Sequence, residues 1–314
     1  MKKLAIIFLI LFGGFFIWFK ISISEKSEKA EFKTFVIPQG ENLEIIAKRL
    51  EKEGFIKNAL SLKLLVTTLG LSKKIQAGSF KLSPSQNAKT IAKELTTGFF
   101  DVWLTIPEGW RVEEIAEKLE KDLGIDQEEF LKVAKKGFMF PDTYLVPKKA
   151  TPQDIAKMML DNFDKRFTPD LKDAATKSGL KIEQVITLAS IVEREVKFSK
   201  DRSVVAGILL KRLKLGLPLE ADATVQYALG YQQAEKSWWK SKITATDLAI
   251  NSPYNTRKFA GLPPTPICNP GIDSVKAVVF PTQTDYLYYL SDGEGKIHYG
   301  KTLDQHIQNI RNYL

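Results

Sequence analysis

The chain holds one cysteine, Cys268, and two histidines, His298 and His306, in 314 residues. A single thiol excludes an intrachain disulfide framework. So few sulfur and nitrogen ligands also argue against a zinc site, which leaves only an oxygen-ligand calcium or magnesium site open, and no metal or cofactor is expected. Runs of Lys and Arg interleaved with aromatics are missing as well, so nucleic acid is not an expected partner. The 46 basic and 37 acidic side chains give a net charge of +9, of which Lys2, Lys3 and Lys20 supply three, and the rest is dispersed. That thin excess fits mild attraction to an anionic wall or membrane surface. With 44% hydrophobic and 26% charged residues, disorder, collagen-like repeats and a multi-span membrane protein are excluded. At roughly 100–200 residues per domain, the length suggests two folded domains, or one large one with appendages.

The longest apolar run stands at the N-terminus. Leu4–Phe19 is uncharged, and Leu4–Ile23 makes about 30 Å of helix if Lys20 snorkels, enough to span a bilayer. Residues 1–23 are therefore expected to be a transmembrane anchor, with the paired lysines holding the N-terminus in the cytoplasm and residues 24–314 outside. A cleaved signal peptide and a buried interior helix are the competing readings, although Ser22-Ile23-Ser24 imitates a small-residue cleavage site poorly. Residues 24–33, SEKSEKAEFK, read as a tether. An internal repeat follows. Ile37-Pro38-x-Gly40 with Ile46, Ala47, Leu50, Glu51 and Lys52 recurs at an offset of 69 as Ile106-Pro107-x-Gly109 with Ile115, Ala116, Leu119, Glu120 and Lys121. Each copy predicts a short strand, a Pro/Gly turn and a helix with one apolar face. Over residues 34–101 the first copy resembles a LysM-like module, a small fold associated with binding N-acetylated glycans; a structural spacer fits the same residues. The second copy opens a unit at residues 102–150 that is expected to join the C-terminal domain, residues 151–314.

In that domain the spacing predicts helices over 152–167, 181–197 and 200–215, the last stopped by Gly216 and Pro218. Gly- and Pro-rich loops over 252–271 lead to a helix near 272–280, an aromatic hairpin turning at 292–295, and a C-terminal helix. On the helix that carries LASIVEREV, Val185, Leu188, Ala189, Val192 and Val196 form an apolar stripe. Glu193 lies beside that stripe, and Glu195 points about 200° of helical turn away from Glu193. The two therefore cannot be the facing carboxylates of an ordinary glycosidase, about 5 Å apart for retention or about 6.5–9.5 Å for inversion. One glutamate bordering an apolar face has the burial that suits a general acid, and the same spacing also fits a solvated charge. Asp222 and Thr224, after the Gly/Pro stop, and Tyr254, Asn255 and Thr256, between rigid proline turns, are further polar candidates.

Taken in order, IVERE, VVAGILLKRLKLGLPLEADATVQYALG, SPYNTRKFAGLPPTPICNPG and TDYLYYLSDGEGKIHYGKTLDQH, with FPDTYLVP at 140–147, closely resemble the membrane-anchored endolytic murein transglycosylases, the YceG-like family. The chain departs from the family's usual residues at Glu220, Ala223, Arg257 and Lys135-Lys136-Gly137. The resemblance implies an α+β fold: an N-terminal transmembrane helix, a small LysM-like α/β module and a larger mixed α/β catalytic domain. It implies cleavage of peptidoglycan glycan strands between N-acetylmuramic acid and N-acetylglucosamine, leaving 1,6-anhydro ends. The sugar's own C6 hydroxyl is then the nucleophile, so one carboxylate suffices. By carry-over from the family's IVE motif, Glu193 is the catalytic acid and base, and Glu195 is structural. Tyr254 and Asn255 are expected to orient the sugar, with Asp222 and Thr224 as second candidates. An anchored enzyme of this kind belongs in the inner membrane with its domains in the periplasm, acting on nascent strands beside peptidoglycan synthases. A non-catalytic glycan-binding scaffold of wall synthesis or division is the alternative.

Overall fold

The computed structural model describes residues 2–97, 101–147 and 150–314, with the side chains of its first helix described from Phe12 onward. Residues 1, 98–100 and 148–149, inside the ranges expected for the anchor, the module and the second unit, lie outside the described residues. The chain runs α1 (Lys2–Ser22), β1 (Lys33–Ile37), α2 (Leu43–Lys52), α3 (Ala59–Thr68), β2 (Gly78–Leu82), α4 (Ala88–Thr97) and β3 (Asp101–Thr105). Next come α5 (Val112–Leu123), α6 (Gln127–Val133), β4 (Thr143–Pro147), α7 (Pro152–Arg166), α8 (Pro169–Lys177), α9 (Ile182–Glu195) and α10 (Ser199–Lys214). It ends with α11 (Asp222–Leu229), α12 (Ala245–Leu248), α13 (Ile272–Val279), β5 (Tyr288–Ser291), β6 (Ile297–Gly300) and α14 (Leu303–Tyr313). Two compact units result: residues 1–104 with 143–150, and residues 105–142 with 151–314.

The first unit is a sheet of order β1-β2-β3-β4 with helices against it. β1 and β2 are antiparallel, with Phe35 opposite Phe80, and both rings are buried with Ile37, Leu50, Leu62 and Ile91. Asn42 and Asn58 cap α2 and α3, each side-chain oxygen accepting a backbone N–H three residues on, which satisfies donors that a helix start leaves orphaned. The repeat seen in the sequence has one structural meaning: Ile46, Ala47 and Leu50 are the buried residues of α2, and Ile115, Ala116 and Leu119, with Val112, are those of α5. The two copies nevertheless fall in different units.

The expectation of a transmembrane anchor at residues 1–23 is corrected: among the described residues no helix is long and apolar enough to cross a membrane. The end of α1 carries Lys20 and the buried Ser22 and is tied into the first unit. Lys57 Nζ donates to the Ser24 hydroxyl at 2.7 Å, and the Ala88 N–H donates to the Ile23 carbonyl at 2.9 Å. Among the described residues the fold is therefore mixed α/β with no helix that could span a membrane, and the expected single-pass inner-membrane localisation has no positive sign in it. Residues 24–33, read as a tether, are also bonded along this unit: the N–H groups of Lys26 and Ser27 both donate to the Pro84 carbonyl.

In the second unit α9 is the central helix. Val185, Ile186, Leu188, Ala189, Ile191 and Val192 are all fully buried, so the helix is covered on far more than the stripe its spacing predicts. It packs against α10 and α13. Ser190, inside this core, is paired on both sides: it donates to the Thr187 carbonyl and accepts from the Ile267 N–H. The proline-rich loop clips the second repeat copy in place through Asn269. Its backbone N–H and side-chain amide both donate to the Trp110 carbonyl, and its own carbonyl accepts the Gly109 N–H.

Candidate active site

The last turn of α9 presents Glu193 and Glu195 to different surroundings. Glu193 is 6% exposed, and Arg202 of α10 donates to both its oxygens, at 2.8 and 3.4 Å. The Gly271 N–H adds a third bond to Oε2 at 2.9 Å. Beside this pair stands Glu108, in the turn of the second repeat copy, whose carboxyl is pushed up by burial and by the charges of Glu193 and Asp273, against the pull of Arg202. Gly271 lets the Glu108 carboxylate approach the backbone closely: a Cβ at this position would displace it. Gly109, at φ +77°, adopts a backbone conformation that side chains resist, and it lies against Glu193 and Arg194. These contacts make Glu193 part of a wall that binds α9 to the second repeat copy and to the start of α13.

Glu195 closes α9 and lines a cavity of about 330 Å³ with Glu220, Asp222, Arg257, Tyr288, Tyr289 and His306 among its walls. The Ala223 N–H, an orphan donor of the first turn of α11, reaches Oε1 at 3.0 Å, and the Tyr289 hydroxyl donates to Oε2 at 3.3 Å. Burial, reinforced by the neighbouring Asp222 charge, pushes the Glu195 carboxyl up to about 7, and those two hydrogen bonds and Arg257 only partly oppose it. Burial and the Glu195 charge in turn drive the Tyr289 phenol well above its ordinary range, so it stays a hydrogen-bond donor. Arg257 pairs with Asp222 at 2.6 Å, and Arg212 grips Glu220, the Pro218 carbonyl and the Leu287 carbonyl. Glu220 sits at φ +57°, a strained conformation for a residue with a Cβ, of the kind found at ligand sites.

Of the residues picked out from the sequence, Asp222 shares the cavity with Glu195. The others spend their polar groups inside the fold. Tyr254 bonds Thr265 at 2.7 Å and rests on Tyr227. Asn255 is fully buried and staples its own loop, donating to the Leu248 and Ile250 carbonyls and accepting the Arg257 N–H. Thr224 donates to the Ala221 carbonyl and meets Thr256 at 2.9 Å. Among the described residues no group of His, Cys, Asp and Glu could hold a metal ion. Of the other residues lining this cavity, sequence reasoning read Glu195 as structural, noted Arg257 only as a departure from the family's usual residue, and did not single out Tyr289 or His306. One signal was available: a carboxylate on the last turn of a helix opposes the helix dipole, so it is held there by something outside the helix.

A model of the YceG-like family matches residues 35–312. An endolytic murein transglycosylase of Bacillus subtilis is 31% identical, the match covering 97% of this chain and 91% of that protein. One from Streptococcus pneumoniae serotype 2 is 28% identical over 96% of this chain, which spans 62% of that protein's length. A crystal structure of a yceG-like protein from Listeria monocytogenes superposes with a TM-score of 0.63 at 29% identity, over 88% of this chain and 98% of that one.

Proposed function

Since the chain belongs to the YceG-like family, we propose that it is a lytic transglycosylase that cuts murein glycan strands internally, with Glu195 in place of Glu193 as the proton-transfer residue. The observation that carries this reading is a carboxyl held near pH 7 by burial in the wall of a cavity. A general acid works best with a pKa near the operating pH, and two neutral donors keep the group oriented without pinning it as a salt bridge. Glu193, by contrast, is already bound through both oxygens to Arg202 and Gly271.

The chemistry follows from one carboxyl and one sugar. Glu195 gives its proton to the bridging oxygen between N-acetylmuramic acid and N-acetylglucosamine as the bond to the muramic C1 breaks. The muramic C6 hydroxyl then attacks C1, and the Glu195 carboxylate takes its proton. Atoms balance without water: one new N-acetylglucosamine 4-hydroxyl end and one 1,6-anhydro-muramic end result. The Ala223 N–H and the Tyr289 hydroxyl stabilise the carboxylate between the two transfers. The C6 hydroxyl supplies the proximity that a second carboxylate supplies elsewhere. Action confined beside a membrane and partnership with synthases rested on the anchor and are left out of this reading.

Muropeptide analysis of murein treated with wild-type, Glu195→Gln and Glu193→Gln protein tests it. Wild type releases anhydro-ended fragments and Glu195→Gln releases none. Undiminished product from Glu195→Gln overturns the assignment, and binding of murein by wild type without new chain ends returns the scaffold reading.

A further inference from the structure

His306 belongs to the last motif of the sequence, KTLDQH, and lies in the first turns of α14. It lines the Glu195 cavity, where its ring stacks on Tyr288 at 5.3 Å and 22°. Its Nδ1 is buried and has no hydrogen-bond partner among the described residues. A buried polar atom left unpaired costs about 1–3 kcal/mol, which native folds tolerate mainly where something else completes the bond. Burial and the guanidiniums of Arg212 and Arg257 hold the imidazole below its ordinary value, against Glu220, so the ring is neutral near pH 7 and carries one N–H and one lone pair. The other histidine differs: His298 is 10% exposed and bonded to Asp292 at 2.8 Å.

We propose that His306 is a substrate-binding residue whose Nδ1 hydrogen-bonds a hydroxyl of the glycan in the cavity that holds Glu195. A hydroxyl is the fitting partner because it both donates and accepts, and so satisfies Nδ1 in either tautomer. The stack on Tyr288 fixes the ring plane, and the helical backbone of α14 fixes its depth. The inference deepens the proposed function and rests on it for the identity of the ligand.

Two measurements test it with peptide-free murein glycan strands as the probe. In steady-state cleavage, His306→Ala and His306→Gln are expected to raise KM about five- to tenfold with kcat changed less than about twofold, the loss of one uncharged hydrogen bond. His306→Asn, whose amide sits where Nδ1 sits, is expected to restore KM to within about twofold. An unchanged KM in His306→Ala, or a loss that His306→Asn fails to rescue, overturns the proposal. In the second measurement, Glu195→Gln protein carrying 15N-histidine is titrated with the same strands. With two histidines in the chain, the expected result is a shifted Nδ1 resonance for His306 and a stationary one for His298. An unmoved His306 resonance at saturating strand overturns the proposal. This arm reads binding whether or not wild type cuts, so a failure of the cleavage reading is distinguishable from a failure at His306.

Discussion

The wall around Glu193 and the cavity around Glu195 begin two residues apart on one helix and are built by different parts of the chain. Glu193 is enclosed by Arg202 of α10, Gly271 at the start of α13 and the turn of the second repeat copy. Glu195 is enclosed by α11, β5 and α14. The first setting supplies a cation and a glycine N–H, and the second supplies burial, two neutral donors and open volume. A buried carboxylate opposite a guanidinium serves as a rivet, whereas a buried carboxyl without a full countercharge keeps a proton within reach of neutral pH. The same side chain thus does structural or chemical work according to what the rest of the chain places next to it.

Substitution should separate the two roles. Glu195→Gln is expected to lower kcat for strand cleavage by at least about a hundredfold and up to about ten-thousandfold, the usual contribution of acid–base catalysis, measured as anhydro ends released per enzyme. A loss of that size in Glu193→Gln with the fold intact would exchange the assignments. Glu193→Gln should instead cost about 3–5 kcal/mol in urea unfolding, because Arg202 stays buried without its partner. Replacing both, as Glu193→Leu with Arg202→Met, should recover most of that loss.

The pH dependence sharpens the contrast further. Since Glu195 must be protonated to act and titrates near 7, kcat/KM should fall about tenfold per pH unit above that value. Asp222→Asn removes a charge that raises the Glu195 pKa, so the falling limb should move to lower pH. A limb that stays in place would remove Asp222 from the electrostatics of the site. Stability gives the smallest effect. The folded carboxyl keeps its proton up to about pH 7, while the unfolded one releases it near 4.3. Stability conferred by that proton is full below about pH 4.3 and lost as pH rises to about 7. Glu195→Gln has no such proton to lose, so at pH 8 its melting temperature should exceed that of wild type, and the difference should vanish below about pH 4.3.

Much of the architecture was legible because its signals are local. The 69-residue offset located two strand–turn–helix units, and the apolar trios it aligned are the buried ones in both copies. Helix stops at Gly216 and the turn at 292–295 were also carried by neighbouring residues. The choice between Glu193 and Glu195 was not, because helical spacing says that the two point apart but not which side the cavity is on. That depends on Ala223 and Tyr289, 28 and 94 residues away. The same holds for Tyr254, Asn255 and Thr224, whose polar atoms look available in the sequence and are bonded within the fold. The N-terminal run failed as an anchor for a related reason. Hydrophobicity reports a preference for leaving water but not what will satisfy it: Phe19 and Ile23 rest on the first unit's core, while Phe12, Phe15, Phe16, Ile17, Trp18 and Ile21 stay exposed.

β4 belongs to the first unit but is delivered late. The chain leaves that unit after residue 104, spends residues 105–142 in the second, and returns for 143–150, with β3 standing between β2 and β4. During synthesis the sheet therefore waits for its outer strand until part of the second unit has emerged. A fragment ending at residue 104 keeps the apolar core but bares one whole side of β3, a row of unpaired N–H and C=O groups that invites other chains. Self-association is then the expected fate of that fragment, and a shorter piece is a less soluble protein than the longer one.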